Sequence, residues 1–427
     1  MIWTVAASLL GLMALSIPVG IVLFILGIGV GEFYSAFPLL RGLGQVVWSS
    51  SSSSTLIAVP LFVLLGEILV RGGVAARTYA ALDKWLSWLP GGLIHANIAT
   101  ATMFSATSGS SVATAATVAT VAMPQAEKLK YDPKLFSGAI AAGGTLGILI
   151  PPSINLIVYG FLTETSIPQL FSAGLVPGIL MALAFVVVTA LICKARPALG
   201  GPSRSFTWGE RLRSLVQLVP IIILFVVVIG SIYAGWATPT ESAAIGVVIA
   251  ALIAVTLGNG LGLATIAEAL HGTIRISAMI MLVIAGAYFL NFAMTSAGLG
   301  RALTELLENT GLSPLGTLLL VVLLYLILGF FIETLSLMVA TIPIIVPIIA
   351  GLGYDKVWFG VLMIVLIEMA LITPPVGLNL FVVQSARAKG SMNEVILGVI
   401  PFVLVMLCMV ALLIAVPGLA LWLPSIL

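Results

Sequence analysis

Two stretches of the sequence set oxygen-bearing side chains where ion chemistry needs them. The first holds ten serines or threonines in the 21 residues from Thr100 to Thr120, with Ser105, Thr107, Ser108, Ser110 and Ser111 gathered around Gly109. It lies in a segment, Trp85 to Ala126, that carries no formal charge at neutral pH. The second contains Glu333, Thr334 and Ser336. Each is followed by a long apolar run with a Pro-Pro pair at its middle, Gly-Thr-Leu-Gly-Ile-Leu-Ile-Pro-Pro-Ser-Ile-Asn at 144–155 and Ile-Thr-Pro-Pro-Val-Gly-Leu-Asn at 372–379. Proline removes a backbone donor and clashes with the preceding turn, so carbonyls near Pro151 and Pro374 need another partner. Sodium is such a partner, and half-helix N-termini at the same breaks suit the carboxylate of a substrate. The competing reading is a pair of proline kinks satisfied by neighbouring Ser and Thr.

Other chemistries fit these residues less well. An intramembrane serine hydrolase would pair a serine of 108–111 with a histidine base, but the sequence offers only His95 and His271, neither at an expected midplane. Two cysteines and two histidines, widely scattered, make no metal centre or disulfide framework. The expectation is therefore no enzyme, no catalytic residue, no cofactor, no metal other than sodium, and no nucleic-acid partner. Glu333 and Glu368 are acidic groups at membrane depth, where a charged carboxylate costs roughly 2.5–3.5 kcal/mol. Each either coordinates a cation or, protonated, hydrogen-bonds freed backbone. Ser49 to Ser54 reads as a flexible external linker, Trp85, Trp88 and Trp358 as interfacial residues, Gly143-x-x-x-Gly147 as close helix packing, and His95 as a structural residue at a hairpin base.

The elements that position these residues follow from composition. Of 427 residues, 61% are hydrophobic and 7% charged, where a soluble domain carries roughly 25% charge. The chain is one polytopic membrane domain of helices, since a lone strand in lipid cannot satisfy its backbone. Nearly uncharged runs place full spans near 5–30, 55–72, 134–163, 170–194, 215–236, 240–258, 276–297, 357–386 and 392–415. The first lacks a basic n-region and is expected to be a span, not a cleaved leader. Segments 92–122 and 314–350 are too long for one span and too short for two of about 20 residues. Both are expected to be re-entrant helical hairpins, packed tip to tip near the midplane.

If both hairpins return to the side they left, one face collects fourteen of the seventeen Lys and Arg, and the other only Arg41, Arg301 and Lys356. The positive-inside rule makes the rich face cytoplasmic, which puts the N-terminus inside and the C-terminus outside. The sequence also repeats itself. Pro124, Tyr131, Asp132, Pro151 and Pro152 recur 223 residues later as Pro347, Tyr354, Asp355, Pro374 and Pro375. Asn155, Gly174 and Pro177 recur at a spacing of 224 as Asn379, Gly398 and Pro401. The copies start on opposite faces and so are inverted repeats, the arrangement many secondary transporters use to alternate access.

Ser-Gly-Ser-Ser-Val-Ala-Thr-Ala-Ala at 108–116, the run at 144–153, Phe-Ser-Ala-Gly-Leu-Val-Pro-Gly at 171–178, Ala-Thr-Pro-Thr-Glu-Ser-Ala-Ala at 237–244 and the run at 372–381 together resemble the large membrane subunit of tripartite ATP-independent periplasmic (TRAP) transporters. The resemblance covers essentially the whole chain. It implies sodium-driven import of organic acids such as C4-dicarboxylates or sialate in a bacterial inner membrane, with a small four-helix membrane subunit and a periplasmic binding protein as partners. No small-subunit sequence precedes residue 1, so that partner is expected as a separate polypeptide. The resemblance also implies an elevator motion of a transport domain, 91–195 and 312–427, against a scaffold, 1–90 and 196–311. It places sodium at Ser108, Gly109, Ser110, Ser111, Pro151 and Asn155, and at Glu333, Thr334, Thr373, Pro374, Gly377 and Asn379. Substrate is expected between them, near Ser108, Ser110, Ser153, Glu333 and Ser336. A passive channel, or a membrane subunit that only assembles, is the alternative function.

Overall fold

The computed structural model describes residues 2–427 apart from 36, 109, 203, 258–259, 300–310 and 388, and of 2–3 and 105–108 only the backbone. The described residues form helices and no strand. Five helices come first: α1 (Ile2–Ala14), α2 (Val19–Tyr34), α3 (Leu43–Ser51), α4 (Ala58–Arg71) and α5 (Val74–Leu86). The first hairpin has arms α6 (Leu93–Ser108) and α7 (Ser111–Leu129), followed by the two halves of a broken helix, α8 (Pro133–Thr145) and α9 (Ile154–Thr163), and by α10 (Ile167–Ala195). Next come α11 (Trp208–Tyr233), α12 (Pro239–Thr256) and α13 (Leu263–Ser296). The second hairpin is α14 (Pro314–Gly329) and α15 (Thr334–Gly351), the second broken helix α16 (Lys356–Ala370) and α17 (Leu378–Ser385), then α18 (Met392–Ala415) and the short α19 (Gly418–Leu421).

The repeat in the sequence is a repeat of helix starts. Asp132 and Asp355 cap α8 and α16, accepting from the N–H of Leu135 at 2.9 Å and of Trp358 at 3.0 Å. Ser110 and Glu333, also 223 apart, cap α7 and α15. A side-chain acceptor at such a position satisfies an N–H that the helix itself leaves orphaned. The inversion is visible in the packing. The N-terminal turn of α8 lies against α18 near its start, with the Lys134 carbonyl where a Gly398 side chain would be. The N-terminal turn of α16 instead meets the far end of α18, where the Trp358 indole donates to the Leu413 carbonyl at 2.8 Å. So α8 runs with α18 and α16 against it, and the two repeats point opposite ways.

Several expected boundaries are corrected. Among the described residues seven helices are long and apolar enough to cross a membrane; six correspond to expected spans and the seventh, Thr334–Gly351, is an arm of the second hairpin, whereas the other three of the nine expected spans are each two helices. Runs 134–163 and 357–386 break at their Pro-Pro pairs. The run 5–30 is α1 and α2, separated where Ser16 takes a left-handed φ of 60° and Pro18 cannot donate to a preceding turn. Thirteen residues of α1 reach about 20 Å, short of a bilayer core of about 30 Å. The expected span 276–297 is the second part of α13, whose 34 residues begin at Leu263; Glu268, His271 and Arg275 ride on the helix without ending it. The serine run is no free linker. Ser49 to Ser51 finish α3, and the hydroxyls of Ser49, Ser50 and Ser52 donate to the carbonyls of Val46, Val47 and Trp48, which lets serine stay helical.

Candidate functional site at the meeting of the hairpin tips

The site is built at the first turn of each hairpin's second arm. The Ser110 hydroxyl oxygen accepts from the N–H of Ala113 at 3.3 Å, and Glu333 Oε2 from the N–H of Ser336 at 3.1 Å. Capping commits these two residues to the ends of α7 and α15 and turns the next residues inward. Ser111 and Thr334, again 223 apart, are 2% and 3% exposed. Both hydroxyls reach the same group. Ser111 donates to Oε2 of Glu368 on α16, and Thr334 donates to Oε1 at 3.2 Å. Glu368 is fully buried. One carboxylate thus ties together α7, α15 and α16, and the expected tip-to-tip arrangement is realised through it.

In front of this junction lies a cavity of about 130 Å3. Ser110, Ser111, Asn155, Glu333 and Thr334 line it, with Ile276, Met279 and Ile280 of α13 closing the opposite wall. Residues expected in two separate sites therefore share one space. Asn155 arrives there because α9 packs on α15, the arm of the other repeat, as α17 packs on α7. Glu333 is exposed at the rim. It also borders a second cavity of about 430 Å3 between the second hairpin and α1, and Ser336 lines only that one.

The remaining expected ligands lie around the two breaks. Pro151–Pro152 and Pro374–Pro375 are both cis. Ser153 is buried and caps α9, accepting from the N–H of Leu156 at 3.3 Å. Gly377 opens α17 with a φ of 58°, a left-handed conformation that glycine adopts without strain. Across the second break the Asn379 N–H donates to the Leu371 carbonyl at 3.1 Å, so that carbonyl already has a partner. The Asn379 side chain donates to the Ala141 carbonyl of α8 at 3.3 Å and leaves its own Oδ1 buried without a partner. The Thr373 hydroxyl donates to the Met369 carbonyl at 2.6 Å. Gly109 and the Ser108 side chain lie outside the described residues.

Hydroxyl density in the first hairpin overstated the number of free groups. Thr102, Thr117 and Thr120 donate to carbonyls four residues back in their own helices. Glu368, which the sequence left between a cation ligand and a protonated partner of freed backbone, is the point where both tips meet, its oxygens accepting from the Ser111 and Thr334 hydroxyls. The signal was present: carried back from Pro124, the spacing of 223 pairs Ser110 with Glu333 and Ser111 with Thr334, and carried forward it pairs Thr145 with Glu368.

Comparison with known proteins agrees with this architecture. A family model described as "Tripartite ATP-independent periplasmic transporter, DctM component" matches residues 6–419. The C4-dicarboxylate TRAP transporter large permease protein DctM of Vibrio cholerae is 32% identical, over 98% of this chain and 96% of its own length. The sialic acid TRAP transporter large permease protein SiaM of the same organism is 31% identical over 98% and 97%. The ectoine TRAP transporter large permease protein TeaC of Halomonas elongata is 30% identical over 98% and 97%. Among solved structures, the YdaH transporter of Alcanivorax borkumensis superposes with a TM-score of 0.61 at 14% identity, covering 95% of this chain and 96% of that one; at such identity the likeness is one of fold. A membrane-embedded helical protein with inverted repeats, matched over nearly its whole length by these permeases, this chain belongs to the DctM family of tripartite ATP-independent periplasmic transporter subunits.

Proposed function

We propose that the chain is the sodium-coupled permease subunit of an importer of small organic acids, C4-dicarboxylates, sialate or similar carboxylates, in a bacterial inner membrane. Its partners on this reading are a small four-helix membrane subunit and a periplasmic binding protein that delivers the acid. The names of the relatives support the substrate class, and the observation that carries the reading is the tip cavity. There Ser110, Ser111, Asn155, Glu333 and Thr334 gather hydroxyl, amide and carboxylate oxygens from both repeats, the ligand type that hard cations take. Asn379, Thr373 and the backbone around Pro374 and Gly377 supply a second ion position, with the first completed by Ser108, Gly109 and Pro151. Substrate sits beside the ions, toward Ser108, Ser110, Ser153, Glu333 and Ser336.

On this reading 91–195 and 312–427 move as a transport domain against a scaffold of 1–90 and 196–311. The start of α2 is cytoplasmic and the C-terminus periplasmic; the expected cytoplasmic N-terminus is corrected, because α1 runs back along α2, with the Tyr34 hydroxyl donating to Thr4 Oγ1 at 2.9 Å, and so begins beside the far, periplasmic end of α2. Support for that sidedness comes from α2 and α13, which run parallel: Gly20 faces Leu282 and Gly27 faces Phe289. Both therefore start on the face of Arg275, the face rich in basic residues.

Reconstituted alone in liposomes, the chain should not accumulate acid. Adding the small subunit, the loaded binding protein and an inward sodium gradient should start uptake, measured with a radiolabelled dicarboxylate or sialate. Robust uptake by the isolated chain would contradict the proposal.

A further inference from the structure

We propose that Glu368 is the positioning residue of the tip cavity: by taking the protons of Ser111 and Thr334 from behind, it makes both hydroxyl oxygens acceptors toward the cavity and so fits that space to a small hard cation. This rests on sodium being the coupling ion. A hydroxyl has one proton and two lone pairs. When the proton is committed to a group on one side, the lone pairs are left for the other. Glu368 does not line the cavity; Ser111, Thr334 and Leu371, the C-cap residue just past the helix that carries Glu368, do. The carboxylate is thus a second layer. Its two oxygens are matched to two donors, one from each hairpin. Hydrogen bonding to a buried carboxylate also raises the electron density on each hydroxyl oxygen, as outer-layer partners do for metal ligands.

The charge balance points the same way. Glu368 is fully buried and forms no ion pair among the described residues. An acidic group at membrane depth with only hydroxyl partners favours a cation nearby, and the substrate's carboxylate beside this cavity would be repelled until that cation is bound. The inverted repeat gives an internal comparison. Thr145 occupies the equivalent position in the first repeat, and its hydroxyl donates to its own helix, to the Ala142 carbonyl at 2.7 Å. Two symmetric hydroxyls therefore converge on one asymmetric charge, which specifies one cation at the shared cavity and not a matched pair.

The test is Glu368→Gln in the complete transporter, reconstituted with its partners, titrating external sodium at saturating acid. Glutamine keeps the shape, but its NH2 must donate to one of the two hydroxyls, which turns that hydroxyl's proton toward the cavity. Half-saturating sodium should rise about tenfold to a hundredfold, while the maximal rate at high sodium and the KM for the acid stay within about twofold. Glu368→Asp, which keeps the charge but reaches less far, should recover part of the sodium affinity. Should Glu368→Gln fail to fold, Ser111→Ala and Thr334→Val carry the test, each expected to raise half-saturating sodium about tenfold. A wild-type sodium dependence that Glu368→Gln leaves unchanged, or a lowered maximal rate with unchanged half-saturation, would overturn the assignment and leave sodium coupling standing. Wild-type uptake indifferent to sodium would overturn both.

Discussion

A hydroxyl folded back on its own helix and one that reaches across to another helix do different work, and the sequence does not separate them. Thr102, Thr117 and Thr120 return their protons to carbonyls four residues back, a local bond that any helix can offer. Ser111 and Thr334 cross to Glu368, which only tertiary packing can supply. What the sequence did mark was the pairing, because the same two residues occupy matching places in the repeat. Asn155 and Asn379 were marked in the same way, and the structure gives them different surroundings: Asn155 faces the tip cavity, whereas Asn379 holds the Ala141 carbonyl and keeps a buried, unpartnered oxygen. Loss of one ligand bond at roughly 1.5–3 kcal/mol corresponds to about a tenfold to hundredfold change in an equilibrium constant. Asn155→Ala and Asn379→Ala should each weaken apparent sodium affinity by about that factor, with complex assembly intact by size-exclusion chromatography. Unchanged sodium titrations in both would remove these residues from the ion sites.

At the scale of elements, boundaries set by charge or by a cap were legible and those set inside apolar sequence were not. The last long helix, Met392–Ala415, coincides with the expected run 392–415. The α1–α2 break fell inside an unbroken apolar run, and charged residues on the first turns of α13 looked like a loop although helix simply continues past the lipid-facing stretch. The closest helix contact was visible only as a repeated glycine. An ideal Cβ at Gly398 would lie 1.8 Å from the Lys134 carbonyl oxygen, and one at Gly138 2.1 Å from the Gly398 oxygen. Small residues at such crossings let backbones approach. Gly398→Ala should therefore cost about 1–3 kcal/mol by overpacking, read as a lower melting temperature in detergent. Gly230→Ala, where a Cβ meets nothing within 4 Å, should leave it unchanged or raise it slightly, since alanine is the better helix former. Equal melting temperatures for the two variants would count against the packed α8–α18 crossing.

For the whole molecule, the inverted repeat was readable because its matched positions are prolines and helix caps, residues fixed by backbone geometry and not by lipid contact. Its mechanical meaning was less readable, because the cross-pairing of α7 with α17 and α15 with α9 depends on how the two copies interlock. That interlock brings oxygens from both repeats into one cavity against α13, and it underlies the proposed coupling of ion binding to movement. The measurement that tests coupling most directly is accumulation of a radiolabelled organic acid in proteoliposomes holding the complete transporter, with sodium either high outside only or equal on both sides. The account predicts internal acid rising above its external concentration under the inward gradient, and no accumulation when sodium is equal or an ionophore collapses the gradient. Uphill accumulation with sodium equal on both sides, or simple equilibration under the gradient, would contradict it.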